Sequence, residues 1–281
     1  MLKHILPFLM FASLMLFNAC NTDDSVEESN VEIEIQERIE ELISKLPPAH
    51  KYDFKKVELE IPPCRLIEER FTASYETDDT NHRYYYQNGV LSKVEHYVGG
   101  TLNNYKLYVH EGTNHVKVYS EDSVILDEYF YEDGLPIKRI FYDNGNVIAY
   151  GYSYYDNGLL NRSISAGING EIFVLDYLSD KYGNIVESWG VWENDGPPSE
   201  EYRYFSKYDT NFFPYIGLPV EFENTDVWGP YNEIEVKVYI DGELRSDNEE
   251  ISLEYYDNRL VKTRVEDSGT IHQFDYVYDC D

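Results

Sequence analysis

Tight-turn dipeptides recur through this chain at nearly constant intervals, and that recurrence limits the fold more than any other feature. Asn88-Gly89, Asp133-Gly134, Asn144-Gly145, Asn157-Gly158, Asn169-Gly170, Asp195-Gly196 and Asp241-Gly242 all tolerate positive φ at both centres of a two-residue hairpin. From Gly134 the glycines fall at 145, 158, 170, 183 and 196, with gaps of 11, 13, 12, 13 and 13 residues. Each gap holds one strand and one turn, so successive strands pair in a meander.

Between the turns the side-chain period is two. Ile234, Val236, Val238 and Ile240 alternate with Glu235, Lys237 and Tyr239, while Ile148, Tyr150, Tyr152 and Tyr154 oppose Ala149, Gly151 and Ser153. Residues 54–281 are therefore expected to form an all-β domain. Its long antiparallel meander should make a strongly curved sheet or a barrel, either of which bends or removes exposed edges. These strands lack a uniformly apolar face, which argues against a membrane-spanning barrel.

The first fifty residues follow different rules. Lys3, an apolar run from Ile5 to Phe17 and Ala19 before Cys20 make residues 1–19 a secretory signal peptide. The run is shorter than the roughly 20 apolar residues of a transmembrane helix. Residues 20–30 read as an acidic, disordered tether. In 31–47, Ile35, Ile39, Leu42, Ile43 and Leu46 recur at spacings of three and four, the pattern of an amphipathic helix stopped by Pro47-Pro48. A lone helix of this length is marginal in water, so docking is expected rather than a free spacer.

The stretch Leu16-Phe17-Asn18-Ala19-Cys20 resembles a bacterial lipobox, and Asp23-Asp24 resembles the surface-export tether of Bacteroidetes lipoproteins. The resemblance implies that Cys20 is lipidated and becomes the new N-terminus. It implies an acyl-chain anchor in the outer membrane, facing the periplasm or the cell surface. Of three cysteines, Cys64 and Cys280 then remain, an even pair in an oxidising compartment. A disulfide between them closes a loop of about 217 residues, Cys64 to Cys280 inclusive, worth roughly 5 kcal/mol in the chain-entropy model.

The repeat itself reads aromatic-x-aromatic-x-Asn/Asp-Gly-x-aliphatic. It is clearest in Tyr84-Tyr85-Tyr86-Gln87-Asn88-Gly89-Val90-Leu91 and Tyr154-Tyr155-Asp156-Asn157-Gly158-Leu159-Leu160, with a degenerate copy at Tyr255-Tyr256-Asp257-Asn258-Arg259-Leu260. This unit resembles the tyrosine–aspartate (Rhs-type) repeats, and the whole layout is similar to uncharacterised Bacteroidetes lipoproteins. In those, as here, Cys64-Arg65-Leu66-Ile67 opens the domain and Tyr276-Val277-Tyr278-Asp279-Cys280 closes it. The segment Tyr208-Asp209-Thr210-Asn211-Phe212-Phe213-Pro214 also resembles a segment of that family, with its proline displaced. The resemblance implies a long curved or barrel-like sheet and no known activity.

Chemistry is sparse. With 53 acidic against 23 basic residues the net charge is −30, or −31 once Lys3 is removed (−30 − 1), which repels nucleic acid and anionic headgroups. No zinc-protease, serine-hydrolase, phosphate-loop or Cys-x-x-Cys signature occurs, so no enzyme, catalytic residue or cofactor is expected. Carboxylates such as Glu76, Asp78, Asp79, Glu193 and Asp195 sit in turn-like stretches, where water solvates them. His110 and His115 flank a four-residue loop with Glu111, a weak metal-site candidate if the two rings face each other across the ladder. With 28 Tyr, aromatic residues make up 16% of the chain. Tyr suits thin sheets, but a ligand-binding face of Tyr150, Tyr152 and Tyr154, joined by one of Trp189 and Trp192, would take a neutral glycan or an apolar peptide. The expected role is a cell-envelope binding or accessory module, the alternative a structural or assembly protein with no small ligand.

Overall fold

The computed structural model describes residues 24–74, 79–193, 201–215, 231–240, 242–246, 250–267 and 271–280. The signal peptide and Cys20 lie outside these residues, as do Glu76, Asp78, Asp195 and Gly196. Contacts divide the chain into a unit ending at Pro47 and a unit beginning at Pro48.

The first unit holds helix α1, Asp24–Lys45. It starts inside the stretch expected to be a tether. Ile35 and Ile39, four apart, are its buried residues, and Lys45 pairs with Glu41 one turn back at 2.7 Å.

In the second unit the described residues form seventeen strands. These are β1 (Cys64–Ala73), β2 (Thr80–Gln87), β3 (Val90–Val98), β4 (Thr101–His110), β5 (His115–Ser120) and β6 (Ile125–Glu132). Next come β7 (Leu135–Asp143), β8 (Asn146–Asp156), β9 (Leu159–Gly167), β10 (Ile172–Ser179), β11 (Ile185–Glu193) and β12 (Glu201–Phe212). The last are β13 (Tyr231–Ile240), β14 (Glu243–Ser246), β15 (Glu250–Tyr255), β16 (Val261–Asp267) and β17 (Ile271–Cys280). All belong to one curved antiparallel sheet. Neighbours in sequence are neighbours in the ladder from β1 to β14 and again from β15 to β17. β1 breaks the serial order, pairing on one side with β2 and on the other with β17.

The turns adopt the expected geometry. Asn88-Gly89, Asp133-Gly134, Asn144-Gly145 and Asn157-Gly158 all have positive φ at both positions, and so does Gly99-Gly100 between β3 and β4. Asn169-Gly170 differs. Only Gly170 is left-handed there, because the loop closes one residue wider, from Gly167 N–H to the Glu171 carbonyl at 2.8 Å.

Next to many turns one strand carries an extra residue. In the β2–β3 ladder Tyr85 pairs Lys93 but Tyr86 pairs Leu91, leaving Ser92 bulged; the same step leaves Ile67, Ile137, Asn161 and Val186 unopposed elsewhere. A bulge interrupts the ladder, and a buried carbonyl beside it needs a new donor. Side chains supply it. The carbonyl before each of these five bulges accepts a side-chain hydrogen bond: Leu66 from Tyr86 at 2.8 Å, Leu91 from His110 at 2.8 Å, Pro136 from Tyr155 at 3.0 Å, Leu160 from Tyr52 at 3.1 Å and Ile185 from Tyr208 at 2.8 Å. Burial raises the pKa of Tyr52, Tyr86 and Tyr208, so these hydroxyls stay protonated donors. Much of the tyrosine content is thereby structural.

Ahead of β1, residues 50–57 run across two turns. Lys56 N–H donates to the Asn157 carbonyl and Val57 N–H to the Lys181 carbonyl, while the buried Tyr52 hydroxyl also accepts from Ser179 N–H at 2.8 Å. At the other end of the unit, Cys64 and Cys280 are direct cross-strand partners in β1 and β17, disulfide-bonded with Cα atoms 4.1 Å apart. The bond ties together residues 216 apart in sequence. Reduction should lower unfolding free energy by about 3–5 kcal/mol. Urea denaturation with and without dithiothreitol measures it, and coincident midpoints would contradict the structural role.

Candidate functional site

Ladder register assigns each expected site residue to a face. We call inner the face carrying the core cluster of Leu66, Tyr84, Leu91, Val94, Tyr108, Val118, Tyr129, Val261 and Tyr276. His110 is registered with Val116, not with His115. The offset of one residue turns the two imidazoles to opposite faces, so they cannot share an ion. His110 is committed to the Leu91 carbonyl, and His115 stacks on Phe130 with ring centroids 4.5 Å apart and pairs with Glu111 at 3.0 Å. Among the described residues no cluster of three or more His, Cys, Asp or Glu side chains has metal-holding geometry.

Tyr150, Tyr152 and Tyr154 do share one face, the outer one, opposite Ala166, Ile164 and Arg162 respectively. Trp189 shares it through the transverse row Tyr154–Arg162–Asp176–Trp189. Trp192 is registered with Phe173, and its side chain lies outside the described residues. The row is not an open aromatic platform. Tyr150 is only 2% exposed, and a two-pronged Arg162–Asp176 ion pair, at 2.5 and 2.8 Å, separates Tyr154 from Trp189. Tyr154 remains exposed at 38%.

The inner face has two unlike halves. Around β1, β2 and β17 it is filled. Glu69, 5% exposed, accepts from the Tyr84 hydroxyl at 2.8 Å and from Tyr215 at 2.7 Å, and the Tyr215 ring packs edge-on against Tyr276. Over β7–β10 it opens into a cavity of about 290 Å³. Its floor is small. Gly151 is registered between Arg139 and Ser165, and Ser153 is registered with Ser163. Its walls are Phe141, Phe173, Leu175 and Tyr177. A Cβ at Gly151 would come within 3.3 Å of the Phe141 ring, so glycine keeps this floor low. Gly190 has a related duty, since a Cβ there would meet Leu175 at 2.7 Å and Phe173 at 3.1 Å.

The cavity's one guanidinium is occupied. Arg139 donates to Asp127 at 2.8–2.9 Å and lies 4.1 Å from the Phe141 ring centroid and 4.9 Å from that of Tyr129. Burial raises the Asp127 pKa against the opposing pull of Arg139. Ser163 shares a 2.7 Å hydrogen bond with the Tyr177 hydroxyl, whereas Ser153 and Ser165 make none with the described residues. Such an arrangement can hold a small uncharged molecule between rings and hydroxyls. It has no nucleophile–base pair. Nothing in the sequence marked these serines, because a small polar residue every second position is also how a solvated strand face reads.

No protein-family model matches the sequence, and no curated protein does either. Solved structures do share the fold. The chain is similar to a porin-like protein from Bacteroides vulgatus, with a TM-score of 0.53 and 10% identity over 76% of this chain and 98% of that one. It is also similar to one from Bacteroides uniformis, with a TM-score of 0.51 and 13% identity over 78% and 99%. At these identities the likeness concerns the fold.

The two faces of β2–β6 are the reverse of those of a lipid-embedded barrel, which needs an apolar outside and a polar lumen. Over β2–β6 the outer face carries Arg83, Lys93, Glu95, Lys117 and Glu128, while the apolar cluster points inward. Glu95 is the centre of the outer polar set. Its carboxylate accepts from Lys93 at 2.6 Å, Tyr85 at 2.6 Å and Tyr97 at 2.7 Å, which hold its pKa down at about 2. A depressed carboxylate stabilises the fold above its ordinary value of 4.5, and that contribution is lost as pH falls through 2. With screening by solvent, about 1 kcal/mol is expected. Unfolding curves from pH 6 to pH 2 should therefore fall less steeply for Glu95→Gln than for the wild type; parallel curves would deny Glu95 this role.

Proposed function

We propose that this chain is a lipid-anchored envelope module that binds a small uncharged molecule in the cavity over β7–β10. One observation carries the reading: half of the inner face is packed shut, while the other half keeps an open cavity whose Ser153 and Ser165 hydroxyls have no partner among the described residues. Donors and acceptors left facing a concave, ring-walled space are the usual marks of a small-molecule site. The envelope location rests on the signal peptide, on the lipobox-like Leu16–Cys20 stretch and on the shared fold of the porin-like proteins. An anchor through Cys20 needs no lipid contact from the sheet, in keeping with the charged outer face of β2–β6.

Two experiments test the two halves of this reading. Cys20→Ala should move the protein from the membrane fraction to the soluble fraction and abolish labelling by radioactive palmitate. Unchanged fractionation removes the anchor. In a thermal-shift panel of small neutral compounds, at least one should raise the wild-type midpoint. Gly151→Val and Ser165→Phe, which fill the cavity from two strands, should cancel that rise while keeping a wild-type circular dichroism spectrum. A panel with no response, or an equal response in both filled variants, returns the chain to a purely structural role.

A further inference from the structure

We infer that the inner-face cavity takes one ring of a neutral saccharide, a deduction that rests on the cavity being the ligand site. Four features lead there. The first is the type of polar group. Ser153 and Ser165 offer unused hydroxyls on adjacent strands, and each hydroxyl both donates and accepts. A sugar presents hydroxyls with the same double capacity, so no fixed donor–acceptor pattern has to be matched. An amide or carboxylate ligand would need fixed complements; of the two charged donors in the lining, Arg139 is held by Asp127 and Lys138 lies over the Phe130 and Tyr150 rings, 5.2 and 5.7 Å from their centroids.

The second feature is the combination of rings with a bare floor. Phe141 and Phe173 are half-buried; the Phe141 ring lies against Gly151, where a Cβ would come within 3.3 Å of it, and Phe173 lines the cavity from β10. A pyranose has C–H groups that pack on aromatic carbon while its rim hydroxyls reach outward to the serines. The third is size. Pockets for drug-sized ligands span roughly 300–1,000 Å³, and this one of about 290 Å³ lies at the small end. One hexose ring suits it, and a run of chain does not.

The fourth feature excludes a peptide. β8, β9 and β10 are paired on both sides over these residues, so their backbone N–H and C=O groups are already used in the ladder. Strand addition, the common way for a sheet to hold an extended peptide, is closed to them. Charge agrees: a net −30 disfavours anionic sugars and leaves neutral ones.

Saturation-transfer NMR on the full mature chain, with its disulfide intact, tests the inference. The probes are the methyl glycosides of glucose, galactose, mannose and N-acetylglucosamine, with glucuronic acid and indole as comparators. At least one neutral glycoside should receive saturation, and glucuronic acid none. Ser153→Ala with Ser165→Ala should weaken that glycoside by about tenfold or more, the loss expected for two hydroxyl contacts. Ser165→Phe should abolish it. If no neutral glycoside binds, or if the double alanine variant binds equally well, the saccharide assignment is wrong. If indole then still binds the wild type and not Ser165→Phe, the cavity remains the ligand site with an apolar occupant. If neither class of probe binds, the cavity reading falls too.

Discussion

A buried carbonyl that loses its ladder partner must find another donor, and the architecture of this sheet turns on that requirement. Five bulges, four beside hairpins and one between β1 and β17, add a residue, twist the strand and leave a carbonyl in need of a donor. The answer is repeated along the chain. A ring from a neighbouring segment, Tyr86, His110, Tyr155, Tyr208 or Tyr52, reaches the carbonyl just before the bulge. Curvature and polar satisfaction thus come from one device. The same rings occupy the inner face, so little room is left where they are densest, and the open cavity occurs where Gly151, Ser153, Ser163 and Ser165 replace large side chains.

Turn chemistry made the meander legible. Asn-Gly and Asp-Gly pairs announced four hairpins whose backbone is left-handed at both positions, and the terminal Cys-bearing strands proved to be cross-strand partners. Bulges were not legible. A strict period of two would put Leu91 and Lys93 on one face, yet the extra residue Ser92 sends Leu91 inward with Val94 and Lys93 outward with Glu95. The same arithmetic misled the histidines, since facing rings across the loop required His110 opposite His115 and the ladder pairs His110 with Val116. Residues 50–57 carry no period at all, and their role depends on hydrogen bonds to turns more than 100 positions away. The degenerate repeat held a further surprise. Arg259 takes the left-handed position that glycine takes elsewhere, at φ 69°, with its guanidinium 4.9 Å from the centroid of the Phe212 ring.

The aromatic composition illustrates how one residue type supports two readings. Tyrosine at the repeat's aromatic positions looked like a stacking surface, and three of them do lie on one outer face. Their surroundings differ too much to act together, since Tyr150 is sealed and Tyr154 is exposed. The cavity takes Tyr152 from that set into its lining, together with serines that carried no compositional signal, because serine in a strand is ordinary until its neighbours are known.

The sequence distances of these carbonyl bonds carry a further meaning. Four of the five donors lie downstream of their acceptors, by 20, 19, 19 and 23 residues. A segment emerging during synthesis therefore meets its finishing partner soon after, in the next length of chain to appear. The fifth donor, Tyr52, precedes its acceptor by 108 residues, and β1 finds its second neighbour only in β17, where Cys64 pairs with Cys280. A chain that stops short of β17 leaves that edge open, and the first strand is completed only by the last of the described ones.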